Sequence, residues 1–282
     1  MKKILVPTDF SKTAEAAINY AIHLFNQEEA ELHLLHAYRI PISDPMTPMG
    51  MVEHFVTQQQ HIAEKHFEKY ANDFVNSHPA AKGKSIKIIT HIEYGMGAEL
   101  IKAVETKIKP NLIVMGTNGS TAHRFKIGSV AARTAINVKT PIIMIPPDTA
   151  YRPIEKIVFA TNYNEEEAEI LQDLMKNYNP TATKIYCVHI VNELDVTEQL
   201  RLVAFEQKFS KELEDGLIQL DVETTEDVVE GINTYVENKQ ANLLVMLHSN
   251  KNFFQKIFSP SVTSSVVFKA NTPVMVYHQN KK

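Results

Sequence analysis

Short continuous apolar runs alternate along this chain with longer stretches whose apolar residues recur at helical spacing. ILVPT (4–8) reads as a strand. SKTAEAAINYAIHLF (11–25) follows with Ala14, Ala17, Ile18, Ala21, Ile22 and Phe25 on one face, and Ser11 is placed to cap its start. LHLLHA (32–37), IKIITHIEYG (86–95), NLIVMG (111–116) and PIIMIP (141–146) read as four further strands. Residues 52–77, 98–107 and 128–137 read as the helices between them. The apolar runs are continuous, as they are in parallel strands covered on both faces. The predicted class is therefore α/β, a doubly wound parallel five-stranded sheet with helices on both sides.

The same order then repeats. KKILVPTDFS (2–11) matches EKIVFATNYN (155–164), which puts Thr8 and Thr161 153 residues apart. LHLLHAY (32–38) matches IYCVHIV (185–191), and His36 and His189 keep that spacing of 153. NLIVMGTNG (111–119) matches NLLVMLHSN (242–250), and VKTPIIMI (138–145) matches ANTPVMVY (270–277). Met115 to Met246 is 131 residues, so the second copy is about 22 residues shorter between its second and fourth strands. The surplus of the first copy is expected in RIPISDPMTPMGMVEHF (39–55), read as a long loop. PPDTAYRP (146–153), with three prolines and no periodicity, reads as the join. Two domains are expected, 1–147 and 153–282, in keeping with a length of 282 residues.

Composition narrows the function classes. A net charge of −4 is no footprint for gripping phosphate backbones, so a nucleic-acid partner is not expected. No apolar run is long enough to cross a membrane, and Asp9 interrupts the first one, which argues against a signal peptide. One cysteine, Cys187, rules out an internal disulfide and suits a reducing cytoplasm. Cys187 itself lies in a buried strand pattern and reads as inert.

Ligands of doubly wound sheets sit beyond the carboxyl ends of the strands, where strand order reverses. Two segments end strands there: Pro7-Thr8-Asp9, and GTNGSTAHRFKIGS (116–129). Three of the nine glycines fall in the second, at 116, 119 and 128. Gly116 and Gly119 would admit a ligand close to bare backbone. Gly128 and Ser129 open a helix whose unpaired N–H groups and positive dipole end suit an anion. Ser129 either caps that helix or touches a phosphate. Asp9 either accepts hydrogen bonds from a ribose or adenine amino group, or forms an Asx turn into the first helix. His123, Arg124 and Lys126 are basic candidates for phosphates or a solvated surface.

Other motifs fall away. Gly83-Lys84-Ser85 resembles the tail of a P-loop, but His78 stands where the earlier glycine is needed, and a strand follows. His54, His61 and His66 are spaced by 7 and 5, which does not suit one metal-binding helix face. His36 and His189 recur at a strand end, which points to a shared structural hydrogen bond. No metal site is expected.

LVPTDFSKTAEAA, LLHA and the glycine loop leading to GSVAART together resemble the universal stress protein family, in a tandem two-domain form. The resemblance covers both copies, with the first similar to the ATP-binding branch. It implies an adenine nucleotide α-hydrolase-like, Rossmann-like fold, with the copies paired through their last strands as an internal pseudo-dimer and a homodimer as a further option. It also implies a stress-response regulator or sensor binding ATP or AMP, with Mg²⁺ accompanying ATP. Pro7, Thr8 and Asp9 would line the adenosine end, and Ala37 would meet adenine through its backbone. Met115 would belong to the same site, Gly116 and Thr117 would lie near the ribose, and Gly119, Gly128, Ser129 and Val130 near the phosphates. The family's pattern has nine residues between its second and third glycines; here Gly119 and Gly128 enclose eight.

The second copy departs further. Asn162 replaces Asp9, Leu247-His248-Ser249-Asn250 replaces the first glycine pair, and Pro260-Ser261 replaces Gly128-Ser129. Leu247 is expected to project where the backbone should be bare, Pro260 lacks a donor, and FFQKIF (253–258) is expected to pack over the empty site or a neighbour. One nucleotide site per chain follows. No general base for hydrolysis stands out, so any ATPase activity would be slow. A scaffold that binds no nucleotide is the rival reading.

Overall fold

The computed structural model describes residues 1–26, 28–38, 49–77, 86–95, 97–117, 127–178, 182–248 and 272–279. The first half runs β1 (Lys2–Thr8), α1 (Lys12–Leu24), β2 (Ala30–Tyr38), α2 (Met49–Ser77), β3 (Ile86–Tyr94), α3 (Gly97–Ile108), β4 (Leu112–Gly116), α4 (Ser129–Asn137) and β5 (Ile142–Ile145). The second half runs β6 (Lys156–Ala160), α5 (Glu165–Asn177), β7 (Lys184–Val191), α6 (Val196–Lys208), α7 (Ser210–Glu214), β8 (Ile218–Thr224), α8 (Val228–Lys239), β9 (Leu243–His248) and β10 (Val274–His278). The strands form one sheet in the order β3-β2-β1-β4-β5-β10-β9-β6-β7-β8. Every neighbouring pair is parallel except β5 and β10, which run antiparallel with Val274 opposite Met144 and Val276 opposite Ile142. Within each half the order reverses beside the first strand, between β1 and β4 and between β6 and β9.

Alternation along the strands divides the core into two layers. Ile4, Val6, Leu32, Leu34, Val114 and Phe159 face a layer that also holds apolar residues of α1, α2, α5 and α6. Leu5, Leu35, Ile113, Met115, Val188 and Met246 face the layer of α3, α4 and α8. Both faces are covered, which is why the strands read as unbroken apolar runs.

The duplication extends to backbone detail. Phe10 and Tyr163 occupy equivalent positions and both take positive φ, 62° and 55°. Lys109 and Gln240, 131 residues apart, do the same at 53° and 54°. The Asn111 side chain accepts from the Lys3 N–H at 2.8 Å, and Asn242 accepts from Lys156 at 2.9 Å. Non-glycine residues in this region carry a conformational cost that only a fixed local context sustains. Its recurrence at matched positions shows that the turns, and not only the strands, were copied.

Two expectations change. Residues 49–51 were expected in a loop and the helix from residue 52, but α2 already opens at Met49 and is 29 residues long. Its second-half counterpart is divided into helices of 13 and 5 residues, so part of the first half's surplus is helix. Met, Glu and Gln are good helix formers, and here they outweigh Gly50. Residues 39–48 lie outside the described part. The join, expected as a plain linker, is anchored: Tyr151 stacks on His23 at 5.2 Å and meets Tyr20 edge-on at 5.2 Å.

Candidate functional site

The β1 carboxyl end is built around Thr8. Its hydroxyl accepts from the Phe10 N–H at 3.2 Å, and its carbonyl lies 3.0 Å from His36 Nδ1. The equivalent pairs recur in the second half, Tyr163 N–H to Thr161 Oγ1 at 2.9 Å and His189 Nδ1 to the Thr161 carbonyl at 3.0 Å. The repeated histidine therefore ties the second strand of each half to the end of the first. Asp9 accepts from the Ser11 N–H at 3.0 Å, so the Asx turn forms, while the carboxyl group stays at the surface. Ser11 caps α1, its Oγ accepting from the Ala14 N–H at 3.2 Å.

At the end of β4, Thr117 donates its N–H to the Ile145 carbonyl at 2.9 Å and accepts from the Gly128 N–H at 2.7 Å. This bond closes the base of the loop and sets α4 beside β1. Gly128 is the N-cap of α4 and has no side chain to offer its first turn. Ser129 is consequently the first helical residue, so the capping alternative for its hydroxyl does not hold. The Gly128 N–H is already bonded to Thr117, so the N–H groups open at the start of α4 are those of the turn that follows.

A cavity of about 370 Å³ opens at this point, between the ends of β1 and β4 and on the α3/α4 face. Pro7, Thr8, Asp9, Ala37, Met115, Gly116, Thr117, Gly128, Ser129 and Val130 all line it. Gly119 and the basic residues His123, Arg124 and Lys126 lie outside the described residues. Sequence reasoning missed Ala14, Leu35, Gly97, Leu100, Ile101 and Ala131, which complete the wall. Gly97 carried a usable signal: it stands three positions after the end of β3 and opens α3, and its φ is +58°. The volume falls within the roughly 300–1,000 Å³ usual for small-molecule sites. Leu35, Leu100, Ile101, Met115 and Val130 form apolar walls, with Asp9 at one side and the α4 N-terminus at the other. That donor set fits an apolar ring bearing a polar edge and an anionic tail.

Gly116 has a packing role besides its place in the cavity wall. A Cβ there would stand 2.7 Å from Thr13 Cγ2 and 3.0 Å from the Thr13 carbonyl oxygen. The glycine is required by the approach of α1, whatever a ligand asks of it. The matching Leu247 does not project into a binding site either. It is buried at 6% exposure in the layer that holds Tyr163 and Phe205. Ser249, Asn250, Pro260, Ser261 and the segment 253–258 lie outside the described residues, as do Gly83, Lys84 and Ser85.

The second half fills the space behind its β6–α5 turn differently. Glu167 stands where the first half has Ala14 and is buried at 2% exposure. One carboxylate oxygen accepts from Thr161 Oγ1 at 2.8 Å, the Asn162 N–H at 2.7 Å and the Asn164 N–H at 3.2 Å. Burial pushes its pKa up, opposed by these hydrogen bonds and by His189. Tyr163 is fixed as well, its hydroxyl donating toward the Cys187 and Asp221 carbonyls at 3.0 and 2.7 Å. Burial likewise pushes the Cys187 thiol up, consistent with an inert side chain.

The model of the universal stress protein family matches residues 1–146 and 153–278. The chain belongs to the universal stress protein family. Curated relatives in this family match about half of it. A universal stress protein of Methanocaldococcus jannaschii is 28% identical over 148 residues, spanning 51% of this chain and 81% of its own length. Universal stress protein YxiE of Bacillus subtilis is 26% identical over 147 residues, spanning 51% of this chain and 97% of its own. Among solved structures, a universal stress protein from Archaeoglobus fulgidus superposes with a TM-score of 0.70 at 19% identity. It covers 98% of this chain and 96% of its own, so the tandem universal stress protein fold extends over the whole length. Among the described residues no helix is long and apolar enough to cross a membrane, and no three His, Cys, Asp or Glu side chains group for a metal ion.

Proposed function

We propose that the first half binds an adenine nucleotide, ATP or AMP, and that the chain acts as a stress-response regulator or sensor with one such site. One observation carries this reading. Ten residues singled out from two distant stretches and the end of β2 line a single cavity at the strand-order reversal, bounded by a helix start with no side-chain cap. Adenosine fills the apolar part, with Asp9 and the Ala37 backbone at its polar edges. The α4 first turn receives the phosphates through N–H groups and the helix dipole, and Gly119 is proposed as a further phosphate-side residue. Mg²⁺ would enter with a triphosphate.

The halves correspond to domains 1–147 and 153–282, and the antiparallel contact of β5 with β10 supports an internal pseudo-dimer. A single buried cysteine suits a reducing cytoplasm. Titration calorimetry with ATP, ADP and AMP tests the proposal: one equivalent per chain is expected, and no heat with any of the three favours the scaffold reading. Product assays on the same samples should find turnover slow or absent.

A further inference from the structure

The two halves carry matching turns after their first strand: a threonine, Thr8 or Thr161, then a positive-φ aromatic residue two positions on, Phe10 or Tyr163, and a side-chain helix cap three positions on, Ser11 or Asn164. They differ in what fills the space behind the turn. In the first half Ala14 leaves the cavity open; in the second, the Glu167 carboxylate reaches back over the turn. A capping box alone does not account for this. The box at the start of α6, Asp195 with Glu198, joins the backbone of its own helix end at 2.7 and 3.1 Å, with the other Glu198 oxygen 3.4 Å from His189 Nε2, and takes no donor from the residues before the cap. Glu167 makes that bond to Asn164 and adds the Asn162 N–H and the Thr161 hydroxyl, both before the helix. Three donors converge on one oxygen, Oε2, of a side chain with almost no exposure.

We propose that Glu167 is a built-in occupant of a small carboxylate-binding nest in the second half's β6–α5 turn, and that by holding this nest closed it confines ligand binding to the first half. Its covalent tether makes the effective concentration of this occupant very high, so no free anion displaces it. The statement about which half binds rests on the nucleotide reading given above. The existence of the nest does not.

Two experiments test the proposal in the full chain. Glu167→Ala removes the occupant and leaves its donors in place. The midpoint of thermal unfolding is expected to fall by roughly 5 °C or more, and the amides of Asn162 and Asn164 should lose protection in hydrogen exchange. Acetate or formate should then restore both, relative to chloride of equal ionic strength, and should do nothing for the wild-type chain. Unchanged protection in the variant, or an equal response of wild type to acetate, overturns the proposal. Should Glu167→Ala not fold, Glu167→Gln keeps the shape and the accepting oxygen. It is expected to keep both amides protected and to ignore acetate, and a response to acetate would count against the nest. Reciprocally, Ala14→Glu grafts the occupant into the first half, where it should weaken nucleotide binding at least a hundredfold; binding as in wild type overturns the proposal. A wild-type chain that binds no nucleotide sinks the functional reading alone, since the acetate experiment still decides on Glu167.

Discussion

Two serines near helix starts differ by one position, and the difference sets what each does. Ser11 is an N-cap with its hydroxyl on the Ala14 N–H, whereas Ser129 follows the N-cap Gly128. Ser11→Ala should therefore cost about 1 kcal/mol in urea unfolding. Ser129→Ala should stay within about 0.5 kcal/mol of wild type, and any effect it has should show in nucleotide affinity. Gly116→Ala is expected to destabilise the fold by roughly 1–3 kcal/mol even without ligand, because the new Cβ meets the backbone of Thr13 as well as its methyl group. Wild-type stability in that variant, with ligand affinity lost, would restore the simpler view of Gly116 as a ligand-facing position.

The strands at the sheet edge hold a titratable element. His33 on β2 and His91 on β3 approach within 2.8 Å, ring nitrogen to ring nitrogen, with Glu31 3.4 Å from the other side of His33. Burial lowers both pKa values; Glu31 opposes it at His33, and His33 itself reinforces it at His91. The folded state thus favours the neutral rings more than the unfolded state does, where histidine titrates near roughly 6.5. Stability contributed by the pair is complete above that value. It falls as the pH drops below it, because the unfolded chain then binds more protons. Urea midpoints measured downward from neutral pH should show this slope, and His91→Gln should flatten it. A profile identical in the variant would mean that the loss originates elsewhere.

At the scale of the molecule, two five-stranded units meet through β5 and β10. Ile142, Ile143, Met144 and Ile145 are fully buried there, and Val276 opposite them is too. Separated halves, 1–147 and 153–282, would each expose an apolar strand edge. Expressed apart, they are expected to self-associate or aggregate; expressed together, they should recover one complex with native stability. Sedimentation of the separate and mixed halves checks this, and two independently monomeric halves would refute it.

Much of this architecture was legible in the chain itself. Continuous apolar runs marked buried parallel strands, four ordered matches marked the duplication, and Pro7-Thr8-Asp9 with Gly128-Ser129 marked the two edges of one cavity. Local signals suffice there, because periodicity and turn chemistry are properties of neighbouring residues. What the tertiary structure alone decided were the directions of side chains between distant segments. Only the packing of α1 against β4 reveals that Gly116 yields to Thr13, and that the matching Leu247 belongs to the core. Only the fold of the β6–α5 turn reveals that Glu167, an unremarked acid in an acidic helix start, closes the place that Ala14 leaves open. Contacts of this kind depend on which faces meet, and spacing along a sequence does not encode that.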